Sequence, residues 1–130
     1  MSYEFGEERE RWEYVKDNSI VKNRYKVSDR GRVFDEENER FLQPTFNLKT
    51  GFMSVSLRKR SGSYKNILMH RLVFQTFKPE EFKEAEAKKW LIKHDDGSVR
   101  KNHLTNLSAA PSSVVRKQRT QEISRLRGMD

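Results

Sequence analysis

The spacing of apolar residues changes at Met69, and this change restricts the fold more than any other feature of the chain. Before it, apolar residues come in short runs of strand type. Phe52, Met53, Val55 and Leu57 mark a strand that alternates in its second half, Ser61-Gly62-Ser63 turns the chain, and Tyr64 to Leu68 return it. After it, Met69, Leu72, Val73 and Phe77 follow helical spacing, and the segment must end before Pro79 because the residue preceding a proline is pushed out of the helical region. A sheet-forming half followed by a helix-containing half predicts an α+β protein.

Punctuation by turn formers sets the remaining boundaries. Residues 1–11 are charged and aperiodic apart from Tyr3 and Phe5, and read as a flexible tail, so the fold is expected to start at Trp12. Strands are expected over Arg24 to Ser28, Arg32 to Asp35 and Arg40 to Thr45, with a turn at Asp29-Arg30-Gly31 and a new strand opening at Gly51. A charged helix follows over Glu80 to Lys89, where Glu84 and Lys88 can pair across one turn. Trp90, Leu91 and Ile92 then lead as a strand into His94, a second strand covers Leu104 to Ala109, and Pro111 starts a last helix carrying Val114, Val115, Ile123 and Leu126. Residues 12–89 are thus read as a basic antiparallel sheet plus helices, and residues 90–127 as a strand-strand-helix unit packed against it.

Charge points to the class of partner. The chain carries 27 Lys and Arg against 19 Asp and Glu, a formal charge of +8. All of that excess lies between Arg40 and Pro79, where eight cations and no carboxylate occur. A polyanion releases counterions when such a surface neutralises its phosphates, so the expected partner is nucleic acid, DNA rather than RNA, alone or within a larger protein or ribonucleoprotein complex. The triplet Arg58, Lys59 and Arg60 has a plainer reading as a solvated hairpin tip. Eight Phe, four Tyr and two Trp argue for a folded core despite the high charge. There is no cysteine, which excludes disulfides, thiolate metal sites and cysteine nucleophiles. No stretch approaches the roughly 20 apolar residues that cross a bilayer. No membrane partner is expected, and the chain reads as soluble and intracellular.

The ordered series of motifs resembles the HNH homing endonucleases of phages and mobile introns, in which a nuclease-associated N-terminal motif precedes a ββα-metal core. The resemblance runs from Trp12 through Tyr25, Val27, Ser28, Gly31, Arg32 and Val33 to Gly51-Phe52 with Val55 and Leu57. It continues in His70-Arg71-Leu72-Val73 and Phe77, and in the core segment His94, Asp96, Gly97, Asn102, Leu104, Asn106 and Leu107. It implies an N-terminal antiparallel sheet with short helices followed by an HNH-like ββα unit, and a phage, viral or organellar origin.

The resemblance also assigns roles. His94 takes the position of the general base, and the metal ligands come from the residue just before it and from the following helix. Here those positions hold Lys93 and Val115. Mg²⁺ demands oxygen ligands, valine has none, and an ammonium beside a cation costs about 4 kcal/mol at roughly 4 Å in an effective dielectric of roughly 20. No metal ligand is therefore assigned, and no cofactor is expected unless the chain is an active nuclease, which would need Mg²⁺.

The loop has a purely structural reading alongside this. Asp96-Gly97 makes a tight turn, an Asn such as Asn102 or Asn106 can bridge backbone groups across it, and His94 is a satisfied, half-buried histidine. His70 is expected to pack and His103 to be exposed. Ligation of a metal by His94, Asp95 and Asp96 in a shifted arrangement is disfavoured, because neighbouring strand residues point to opposite faces. Zinc held by the three histidines has no supporting spacing.

These residues lead to a nucleic-acid-binding protein derived from an HNH endonuclease and no longer cutting. Its expected contacts are Arg58, Lys59, Arg60, Lys65, Arg71, Lys93, Arg116, Lys117 and Arg119. Two alternatives stand beside it: an active metal-dependent HNH homing-type endonuclease, and a structural RNA-binding subunit of a ribonucleoprotein.

Overall fold

The structure, a computed structural model, describes residues 9–113. Beyond Ser113 the helix expected from Pro111, with Val115, Arg116, Lys117 and Arg119, lies outside the described residues, as does most of the expected tail. Strands β1 (Trp12–Tyr14), β2 (Tyr25–Ser28), β3 (Val33–Asp35) and β4 (Arg40–Leu42) form an antiparallel sheet in chain order. Its register sets Val27 opposite Val33, and Val33 opposite Leu42, on the inner face. Asp35 is also buried. Arg24 holds it through two bonds of 3.0 Å, and its Oδ1 accepts the Glu37 N–H at 3.0 Å, which pins the turn into β4.

The stretch from Arg40 to Thr45, expected as one strand, is split. Pro44 lacks an N–H for a ladder, so the chain leaves the first sheet after Leu42 and starts a second with β5 (Thr45–Asn47), β6 (Phe52–Arg58) and β7 (Tyr64–Leu68), ordered β5-β6-β7. The single N-terminal sheet of the sequence reading is therefore two. The hairpin at Arg58 to Tyr64 closes where expected, with Gly62 at φ +103° and the Lys59 N–H on Ser63 O at 2.7 Å. The loop after β1 clamps it: Val21 N–H reaches Arg58 O at 3.0 Å, and Arg60 N–H reaches Ser19 O at 2.9 Å.

Two helices follow, α1 (Met69–Phe77) and α2 (Pro79–Ala87), with Pro79 in the first turn of α2, where a missing N–H costs nothing. The last described pair is β8 (Leu91–His94) with β9 (Leu107–Ala110). The second of these strands begins three residues later than expected. Leu104 to Asn106 instead form a 3-10 turn, with Asn106 N–H on His103 O at 2.9 Å. Among the described residues no helix is long and apolar enough to cross a membrane.

Helix α1 organises the core. Met69, Leu72, Val73 and Phe74 are buried in one cluster with Val27 and Val33 of the first sheet, Leu57 of the second, and Ile92 and Leu107 of the hairpin. The Asp29–Gly31 turn supplies a second link, to the loop before β9. Leu104 N–H donates to Asp29 O at 2.8 Å, and Arg11 holds the Asp29 carboxylate through its backbone N–H and Nε, each at 3.1 Å.

Gly31 sits at φ +83°, and a Cβ there would stand 2.9 Å from the Asn102 backbone oxygen. Gly31→Ala is expected to destabilise the fold by about 2 kcal/mol or more, combining left-handed strain with a clash against rigid backbone. Denaturant unfolding checks this; a change under about 0.5 kcal/mol, the size of an ordinary surface substitution, would contradict the docking.

Candidate nucleic-acid interface

His94 ends β8 at the centre of the packed unit. The pleat sends Ile92 and His94 inward and Lys93 and Asp95 outward, and His94 is 0% exposed. Its Nε2 donates to Asn102 Oδ1 at 2.8 Å. The ring lies 4.9 Å from that of His70 on α1, and the Phe52 ring stacks near both, 4.4 Å from His70 and 6.1 Å from His94. The half-buried position expected for His94 is thus a fully buried one, because α1 and β6 close over it. His70 packs, and His103 is exposed.

Burial favours the neutral form of both imidazoles. It pushes His70 well below its usual 6.5, helped by the nearby His94 and Arg71 charges. It also pushes His94 below 6.5, against the opposing pull of the Asn102 hydrogen bond and of the Asp96 and Asp95 charges.

The loop beyond His94 is held by side chains. Gly97, at φ +80°, returns its N–H to His94 O at 2.9 Å. Asn106 spans the loop, accepting the Asp96 N–H at 3.0 Å and donating to Lys101 O at 2.8 Å and Asp96 Oδ1 at 3.0 Å. Asn102 turns the other way, into the core.

On the outer side of the hairpin Lys93 Nζ lies 2.8 Å from Asp95 Oδ1, which Ser108 Oγ also approaches at 2.6 Å. These contacts hold the Asp95 carboxylate below its usual range, with Lys93 the larger cause. An ammonium already occupies this carboxylate, and no group of three or more His, Cys, Asp or Glu is placed to hold a metal ion among the described residues.

The expected basic contacts fall into separate places. Arg58, Lys59 and Arg60 share the hairpin tip, with Arg58 over the Tyr64 ring at 5.7 Å, and none of the three meets a carboxylate among the described residues. Lys65 and Arg71 line one cleft between β7 and the helices, paired with Asp17 at 3.0 Å and Glu86 at 2.7 Å. Lys93 stands apart on the last hairpin. Sequence reasoning missed the outer face of the first sheet. There Arg32 lies over the Trp12 and Phe41 rings and Phe34 packs on Phe41, although the place of these aromatics in the polar phase of three strands was a readable signal.

The four-stranded sheet, the histidine-bearing hairpin and its asparagine-held loop share the fold of a solved HNH homing endonuclease. The NUMOD4 motif matches residues 10–58, which span the first sheet, β5 and all of β6. Among solved structures, one described as DNA binding and cleavage by the HNH homing endonuclease I-HmuI is similar, with a TM-score of 0.65 and 24% identity. The match covers 92% of this chain and 65% of that one, so the present chain spans about two thirds of its length. No curated protein matches the sequence.

The His70–His94 pair predicts a pH dependence. Both are neutral when folded and titrate near 6.5 when unfolded, so their contribution is complete above 6.5 and is lost as pH falls below it. Stability should therefore fall as pH drops below 6.5, with a limiting slope of about 1.4 kcal/mol per pH unit for each histidine still unprotonated in the fold. His70→Phe, which keeps an aromatic ring beside Phe52, should flatten that slope. Melting curves across this range check it, and an unchanged slope in the variant would refute the assignment.

Proposed function

We propose that the chain binds duplex DNA through a basic surface and does not cut it, retaining an HNH scaffold as a holding device. The burial of His94 carries this reading. A general base must reach the attacking water within hydrogen-bond distance, whereas this imidazole is enclosed. Lys93, at the position where the resemblance expects a metal ligand, adds a positive charge and no oxygen donor.

The hairpin tip of Arg58, Lys59 and Arg60 is the proposed primary phosphate grip, since its cations have no competing carboxylate among the described residues. Lys65, Arg71 and Lys93 would each exchange a carboxylate for a phosphate, and Arg116, Lys117 and Arg119 would extend the surface. Such contacts fix register without reading sequence. Duplex DNA is preferred over RNA because the solved structure of similar fold is of an enzyme that binds and cleaves DNA.

Two measurements test the proposal. Affinity for duplex DNA should fall steeply with salt, and replacing Arg58, Lys59 and Arg60 together by Ser should lower the slope by roughly 2–3, at about 0.9 per phosphate contact. Salt-independent binding, or binding confined to folded RNA, would overturn it. In a plasmid-nicking assay with Mg²⁺ or Mn²⁺, wild type and His94→Ala should both be inactive. Nicking by wild type that His94→Ala abolishes would establish the active endonuclease instead. Activity gained only by Lys93→Asp with Val115→Asn would show an intact scaffold that lacks its ligands.

A further inference from the structure

The outer face of the first sheet is more aromatic than its fold requires. The inner face, with Val27, Val33 and Leu42, already serves the core, and an antiparallel sheet covered on one side ordinarily presents polar residues on the other. Here the register aligns Tyr14, Lys26, Phe34 and Phe41 in one row across all four strands. Trp12 lies beside it, its ring 6.0 Å from that of Phe41, and Phe34 meets Phe41 edge-on at 5.0 Å. Phe41, at the β4 end of the row, is 53% exposed and in ring contact with both Trp12 and Phe34.

The cations on this face are built into it. The Arg32 guanidinium lies 5.3 Å from the Trp12 ring and 4.8 Å from the Phe41 ring, and Glu10 takes its Nε and Nη2 at 2.9 and 2.7 Å. That pair leaves the Nη1 donors unused by Glu10. Lys26 lies 5.0 Å from the Tyr14 ring and 3.2 Å from Glu36. Trp12, Lys26, Arg32, Phe34, Glu36 and Phe41 together line a depression of about 350 Å³.

We propose that this face is a stacking platform for unpaired nucleobases. The inference rests on the nucleic-acid reading above and adds a second site to it. A base has flat apolar faces, an edge with both donors and acceptors, and an anionic backbone. The platform offers rings and a guanidinium plane for the faces and the Glu36 carboxylate and Lys26 ammonium for the edge, with Glu10 and Glu36 balancing the charges of Arg32 and Lys26. A purely aliphatic partner would match the rings but not the polar groups, Lys26 and Glu36, set among them. The grip on the hairpin tip holds duplex phosphates. The platform instead captures bases that have left the stack, so the protein distinguishes DNA containing a flap, bulge or single-stranded run from an intact duplex.

The experiment uses the full chain and three probes: blunt duplex DNA, the same duplex with a short unpaired run, and a single strand. Each carries a fluorescent purine analogue, in the unpaired run where there is one. Wild type should bind the gapped probe more tightly than the blunt duplex and quench the analogue. Phe41→Ala should weaken binding to the unpaired probes about tenfold, as loss of one stacked base does, and leave the blunt duplex unaffected. Phe41→Leu should behave like Phe41→Ala, and Phe41→Trp should restore both affinity and quenching, which a loss of folding could not produce. Equal affinity of wild type and Phe41→Ala for the unpaired probes, with duplex binding intact, would overturn the platform alone. Failure to bind any probe would overturn the nucleic-acid reading with it.

Discussion

The structure depends on one short helix burying its apolar stripe against three separate sheets. None of these sheets has a core of its own: the first has strands of three or four residues, the second three strands, and the last is a hairpin. Small sheets of this kind are marginal alone. Met69, Leu72, Val73 and Phe74 give them a common interior. The nine-residue helix is equally dependent, being too short to persist by itself in water. The sheets and the helix stabilise one another, so the chain folds as a unit although its sequence divides naturally near Trp90.

That shared core decides the state of His94. An imidazole at a strand end is half-exposed unless something covers it. Here His70 from the helix and Phe52 from the second sheet provide the cover, and Asn102 satisfies the Nε2 proton. The neutral, enclosed histidine is thus a consequence of the N-terminal region packing on the last hairpin. The Gly31 turn against Asn102 reinforces the arrangement, because it fixes the backbone of the residue that accepts the His94 hydrogen bond. The same packing leaves cationic groups on the outside in three distinct places, with different carboxylate competition at each.

Much of this was legible in the residues. The hairpin at Ser61-Gly62-Ser63, the helix ending before Pro79 and the Asp96-Gly97 turn follow from local rules, since glycine, proline and hydrophobic period act over a few residues. The break at Pro44 had the same kind of signal and was passed over, because Arg40 to Leu42 and Thr45 onward look like one extended run. Other features had no local signature. Asn102 and Asn106 sit four residues apart with the same side chain, yet one faces the core and the other the loop. Nothing near His94 in sequence announces His70. The aromatic row of Tyr14, Phe34 and Phe41 is spread over three strands, and it becomes a surface only once their register is known.

By itself, then, the sequence determined the α+β class, the position of most turns and helix ends, the concentration of positive charge between Arg40 and Pro79, and the absence of an oxygen donor at Lys93 and Val115. These are matters of composition, period and side-chain chemistry, and no distant contact can alter them. Tertiary structure alone decided that the N-terminal strands form two sheets, that His94 is sealed beneath α1, which cations keep a carboxylate beside them, and that the Trp12 and Phe41 rings meet at Arg32. Each of these depends on residues far apart in the chain approaching within a few ångströms, and short-range patterns carry no information about that approach.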